Sequence, residues 1–202
     1  MAVIDFLLST LAEWQGKDPV DMRKNMSDQI ENDEITFDGP LVSSSQLVVE
    51  GQAAASEFEF GMILTWNAFS RWATCCMGAA GAGDLGMIDI ILLNHICHRG
   101  KHKKLSDICF TLNFGDTHVV SYSLRKLATA QLVSSKKMGK EVFYSPTKKG
   151  EALVDRYRAV RNKCLVPSIE PSVAERLSVS AKTLREMSGT YDQAARAASS
   201  LV

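Results

Sequence analysis

The chain has 202 residues, enough for one well-filled core or a small domain with long extensions, and its 46% hydrophobic and 23% charged content is that of a globular protein rather than a disordered one. No apolar run reaches the roughly 18 residues that a membrane helix needs; the short apolar run at the N-terminus is flanked by Asp5 and Glu13 with no Lys or Arg before it, which argues against a signal peptide. Formal net charge is zero, but residues 1–85 hold 4 Lys+Arg against 13 Asp+Glu, residues 86–165 hold 15 against 6, and residues 166–202 hold 4 against 4. An acidic segment therefore precedes a strongly basic one, and the basic part points to a polyanion partner.

Residues 1–50 admit helical stretches around 2–14 and 19–32, then a turn-rich "TFDGPLVSSS" and a short strand at "QLVVEGQ". From Ala53 to Met77, Phe58, Met62, Trp66, Phe69 and Ala73 recur at spacings of three and four, which predicts a helix with one face in the core. The glycines of "GAAGAGDLG" end it. A second helix, Leu85 to Cys97, places Ile88, Ile91, Leu92 and His95 on one face, and "HRGKHKK" breaks it. "LSDICFTLN" predicts a short helix with Ser106 as N-cap, Leu105 packing back as a staple, and Ile108, Cys109 and Leu112 inward. After "FGD", Asp116 or Thr117 caps a longer helix to about Ala130. "LVSSKKM" and "VFYS" read as two short strands around the Gly-containing turn "GKE", with Lys136 and Lys137 interrupting the alternation. Pro146 and Thr147 start a further helix to about Leu165, and "VPSIEPS" is a linker. The segment 171–199 repeats apolar or small residues at 177, 181, 184, 187, 191, 194 and 198, a stripe that needs a partner surface.

Three short helices followed by a hairpin predict a mostly α fold, a winged helix-turn-helix with a two-stranded β-wing. In that architecture the third helix enters the major groove of DNA and the hairpin touches the flanking backbone. The recognition helix, about 116–130, carries Val120, Leu124 and Leu127 on one face and His118, Tyr122, Arg125 and Thr129 opposite. Its N-terminal half reaches deepest, so Thr117, His118, Ser121, Tyr122 and Arg125 are the candidate base-reading residues. Lys103, Lys104, Lys126, Lys136, Lys137 and Lys140 are the candidate phosphate contacts, with Lys101 beside them. An amphipathic surface helix would show the same two faces; the basic hairpin next to it favours DNA.

Residues 85–165 resemble the DNA-binding domain of the MarR family of transcription regulators. "LGMIDIILLNHI" resembles the helix that opens that domain, "LSDICFTLNFGDTHVVSYSLRKLATAQLV" its helix-turn-helix, and "YSPTKKGEALVDRY" its "LTxKG" stretch, with Thr147, Lys149 and Gly150 matching. Two departures stand out. Gln131 occupies a position where the family has Gly, and the wing turn "KKMGKEV" is short and carries Lys where the family has an Asp-Arg-Arg run, so the wing reads as a backbone clamp rather than a minor-groove reader. The resemblance, direct over the winged helix-turn-helix (85–165) and in layout only beside it, implies an N-terminal dimerisation helix and Gly-rich joint (53–84) and a C-terminal dimerisation helix (166–202); the acidic extension (1–52) before them is longer than the family has. The resemblance further implies a homodimeric, sequence-specific transcriptional regulator with double-stranded DNA as partner and a small-molecule effector as a further one.

Other motifs carry less. "GAGDLG" (81–86) has dinucleotide-turn spacing but follows a helical pattern rather than a strand, so no nucleotide site is expected. His95, Cys97, His98 and His102 cluster, but Arg99-Gly100 interrupts the helical spacing that convergent zinc ligands would need. The five cysteines have no CxxC spacing; their odd count, with no secretion signal expected, favours reduced thiols in the cytoplasm, and adjacent Cys75 and Cys76 lack the basic neighbours a redox sensor needs. No nucleophile–base pair, paired carboxylates or Walker loop is present, so neither an enzyme nor a cofactor is expected. The competing reading is a winged-helix assembly module without DNA sequence specificity.

Overall fold

The computed structural model describes residues 53–98 and 102–201. The helices and strand read in residues 1–50 lie outside the described residues. The chain divides at Leu64/Thr65 into two compact units. Of the first, the described part is the opening of helix α1 (Ala53–Ala79); the second holds the remainder of α1 and every later element. In chain order come α2 (Met87–Cys97), β1 (Lys103–Lys104), α3 (Leu105–Leu112), α4 (Thr117–Thr129), β2 (Val133–Met138), β3 (Glu141–Pro146), α5 (Lys148–Cys164), a 3-10 turn (Val166–Ser168) and α6 (Pro171–Ser199). This is the mostly helical winged arrangement expected from the sequence.

Helix α2 is the hub of the core. Ile90, Leu92, Leu93 and Ile96 are all buried and share one inward face, while Met87, Ile88 and Ile91 make the opposite, partly buried side apolar as well. The expected face of Ile88, Ile91, Leu92 and His95 is thereby corrected, since only Leu92 of the four is fully buried. Ile108 and Cys109 from α3, Val120, Leu124 and Leu127 from α4, and Leu153, Val154 and Tyr157 from α5 close around it. From α1 only Ala73, Cys76 and Met77 are buried, while Trp66 is 52% and Phe69 45% exposed, so α1 is not the core helix its spacing predicts. Trp72 meets Tyr157 edge-on at 6.1 Å, which ties the end of α1 to α5.

The sheet holds a strand the sequence pattern does not reveal. β1 pairs antiparallel with β3, Lys103 opposite Tyr144 and Lys104 opposite Phe143, giving the order β1-β3-β2. Because Lys104 is held by that pairing, α3 starts directly after it, and Ser106 lies inside the helix rather than capping it. The β2–β3 register runs from Val133↔Pro146 to Met138↔Glu141, leaving Gly139 (φ 64) and Lys140 as a two-residue loop. Pro146 closes β3 instead of opening α5.

The junction of α4, the hairpin and α5 is tied by three residues. Thr147 caps α5 by accepting from Gly150 N at 3.1 Å and donates to Gln131 O at 2.7 Å. Lys149 donates to Ala130 O at 2.8 Å, capping α4. A Cβ on Gly150 would stand 2.1 Å from the Leu132 carbonyl oxygen, so only glycine lets α5 approach the hairpin this closely. Gln131 adopts φ 59, and Leu132 N bonds back to Leu127 O at 3.0 Å, a left-handed helix ending in which most side chains are strained.

Two stability changes are expected at this junction. Gln131→Gly should raise unfolding free energy by about 0.5–1 kcal/mol in denaturant titration, the relief of left-handed strain exceeding the added chain entropy. Gly150→Ala should lower it by about 1–3 kcal/mol, because a backbone carbonyl must move. An unfolding midpoint equal to the parent's in either variant refutes the corresponding account.

Candidate nucleic-acid interface

Helix α4 begins at Asp116, whose side chain accepts from His118 N at 2.7 Å. Val120, Ser123, Leu124 and Leu127 are buried, which fixes the roll of the helix and turns the opposite face outward. Thr117, His118, Tyr122 and Arg125 are exposed and Ser121 is half-buried, so the five candidate base-reading side chains share the solvent-facing side. Tyr122 is 68% exposed, unusual for an aromatic with nothing to cover it. Arg125 spends its Nε on Ser121 O at 3.4 Å and keeps its terminal nitrogens free of ion pairs among the described residues.

The inner side of α4 is held by a charge that the sequence pattern does not single out. Asp89, on α2, is 6% exposed. Its carboxylate accepts from Gly86 N at 2.9 Å, from Ser123 Oγ, and from Lys126 Nζ at 2.6 Å. Lys126 also donates to Asp84 O at 2.7 Å. The hydrogen bond to Asp89 raises the Lys126 ammonium above the ordinary lysine value. The signal that could have found it is the acid three residues after Gly86, a box-like cap at the start of an otherwise apolar helix.

The six candidate phosphate lysines separate into two groups. Lys103 extends its ammonium over the end of α2, donating to His98 O at 2.6 Å and also to His95 O, so it caps carbonyls left open at a helix terminus. Lys104 pairs with Glu141 at 3.1 Å on the surface, and that bond raises its pKa. Lys126 is engaged as described. Lys136, Lys137 and Lys140, on β2 and the hairpin loop, are exposed and lie outside every ion pair among the described residues.

A cavity of about 930 Å³ opens between α1, α2 and α5, lined by Trp72, Ile91 and Tyr157 and by His95, Arg158 and Arg161. Burial holds the His95 imidazole below its ordinary value, assisted by the charges of Lys103 and His98. Burial likewise pushes the Cys97 thiol up to about 11 and raises Cys76, the opposite of an activated thiol. Cys75 and Cys164 are exposed. Among the described residues no three His, Cys, Asp or Glu side chains converge as a metal site, and His102 meets Ser145 instead. No described helix is long and apolar enough to cross a membrane. Residues 81–86 connect α1 to α2, two helices, without the preceding strand that a dinucleotide turn requires.

This geometry is that of a winged helix, and residues 85–150 match the family model described as a winged helix DNA-binding domain. Solved structures share the fold. Reduced AbfR bound to DNA, a protein of Staphylococcus epidermidis, aligns with a TM-score of 0.61 at 12% identity over 70% of this chain and 97% of that one. A MarR-family transcriptional regulator from Rhodococcus sp. RHA1 aligns with a TM-score of 0.54 at 14% identity over 66% and 95%. CouR from Rhodococcus jostii RHA1, bound to p-coumaroyl-CoA, aligns with a TM-score of 0.52 at 14% identity over 66% and 94%. At these identities the likeness is one of fold. No curated protein matches the sequence. The chain thus carries a winged helix DNA-binding domain within a fold shared with MarR-family transcriptional regulators.

The depressed His95 value has a defined sign. The folded chain favours neutral imidazole, so this residue's contribution to stability is complete above pH 6.5 and is lost as pH falls through the lowered folded value. His95→Gln is expected to flatten the stability–pH curve below that point in thermal melts, and an unchanged slope contradicts the assignment.

Proposed function

We propose that the chain is a sequence-specific DNA-binding transcriptional regulator that acts as a homodimer. The observation that carries this reading is the outer face of α4, where Thr117, His118, Ser121, Tyr122 and Arg125 stand together on one side of a helix whose other side is anchored in the core. That face offers the major groove a bidentate Arg and several hydroxyls. Lys136, Lys137 and Lys140 on the wing supply a charge that positions without reading sequence. The two-residue loop makes the wing a clamp on the backbone rather than a probe of the minor groove.

Dimerisation is supported by apolar surface left exposed among the described residues. Trp66 and Phe69 on α1 are exposed, and α6 runs 29 residues without burying one, with Leu177 and Leu184 each 47% exposed. The helix is roughly 43 Å long at 1.5 Å per residue. Asn113 binds its Ser188 and Asp192, each at 3.1 Å. A second copy covering this stripe would set two recognition helices about one DNA turn apart. The cavity beside Trp72 and Arg158 suits an effector with an apolar body and an anionic end, and CouR, which shares the fold, is known bound to p-coumaroyl-CoA. The location that fits this role is cytoplasmic, where the DNA is.

Duplex titration at several salt concentrations tests the reading. Affinity is expected to fall steeply with salt, with two chains per selected duplex, and Lys136→Ala or Lys137→Ala to lower the log–log slope by about 0.9 each on every duplex alike. Arg125→Ala is expected to relax base preference by about 1–3 kcal/mol with little change in slope. A chain that ignores duplexes even at low salt is instead an assembly module.

A further inference from the structure

Asp89 is the only buried acid among the described residues, and apolar packing around α2 gives no reason for a charge there. Its partners explain it. Gly86 N belongs to its own helix, but Ser123 and Lys126 both come from α4, three residues apart and therefore on one side of that helix. Tyr122 and Arg125 each precede one of these anchors by a single residue. A step of one residue is about 100° around the helix, so the roll that seats Ser123 and Lys126 on Asp89 also sets the direction of Tyr122 and Arg125. Lys126 runs on to the Asp84 carbonyl, so its ammonium is held at two points. Drawing it away to a phosphate would leave a buried carboxylate without its countercharge, a large cost.

We propose that Asp89 is a positioning residue for the recognition helix, and that Lys126 serves this anchor instead of contacting DNA. The proposal rests on the DNA-binding reading above and adds a division of labour among the lysines: those of the wing carry salt dependence, whereas Lys126 carries register. The two roles are separable by measurement. Loss of a phosphate-contacting lysine lowers the slope of log affinity against log salt by about 0.9. Loss of a positioning lysine leaves that slope and lowers discrimination between sequences.

The probe is a duplex selected from a random pool by the full unaltered chain, compared with a scrambled duplex of equal length. Lys126→Met is expected to reduce preference for the selected duplex about tenfold, the scale of one good base contact, with the salt slope unchanged. Asp89→Asn is expected to do the same, with no further loss in the double variant, and Lys126→Arg to retain the preference. A slope that drops by about one with preference intact makes Lys126 a phosphate ligand and overturns the proposal. Should one single variant fail to fold, the double variant, which removes both charges together, decides between these results. Hydrogen exchange on the free chain reads the anchor without DNA: Lys126→Met is expected to speed exchange of α4 amides relative to those of α5, and equal exchange overturns the anchor. Failure of the unaltered chain to select any duplex overturns the DNA-binding reading alone.

Discussion

A single buried carboxylate constrains this fold more than any other group. Removing a charge from water costs several kcal/mol unless the site returns a countercharge and hydrogen bonds. Asp89 receives both: the Gly86 amide, the Ser123 hydroxyl and the Lys126 ammonium. Those donors belong to the start of α2 and to the middle and last turn of α4, and Lys126 passes the connection to the joint at Asp84. Apolar contacts among Ile90, Leu93, Leu124 and Leu127 choose which side of α4 is inward but have no direction of their own. The polar point among them has one, so the helix that faces outward is seated at one angle.

The parts of the fold legible in the sequence are those with local, one-residue causes. Asp116 caps α4, Gly139 turns the hairpin, Thr147 caps α5, and the boundaries of these elements fall near their expected places. The outward face of α4 is legible because Val120, Leu124 and Leu127 leave no doubt which side is inside. What escapes depends on partners far along the chain. β1 is two lysines long, with no strand pattern of its own, and exists only because Tyr144 and Phe143 pair with it. The apolar spacing of α1 says that Trp66 and Phe69 want cover without saying whether this chain supplies it. Helix α2 carries apolar residues on nearly every side, so its residue types do not say which side is the buried one, that of Ile90, Leu92, Leu93 and Ile96.

Charge is the least legible property, for a related reason. A sequence counts cations, but a structure decides which of them remain available. Lys103, Lys149 and Arg156 each donate to carbonyls at helix ends: Lys103 at α2, Lys149 at α4, and Arg156 at Ala80, 2.7 Å away, just past α1. Helix C-termini carry partial negative charge, and basic side chains neutralise it there. The positive balance of the middle segment is therefore partly internal mortar. The lysines of β2 and its loop, on a strand exposed beyond Val133, belong with Arg125 to the share offered to solvent.

The Leu132 carbonyl has a consequence for how the molecule comes apart. It accepts from Thr147 N at 3.1 Å and lies 3.2 Å from the Thr147 hydroxyl, whose shorter bond goes to Gln131 O, while Gly150 presses against it. The end of α4, both wing strands and the first turn of α5 thus share one knot of backbone. Fraying of any one of them exposes bonds belonging to the other two, so these elements open as one cooperative unit rather than separately. A wing that stands clear of the body is commonly pictured as a loose appendage. Here its root is fastened to the ends of both helices that flank it.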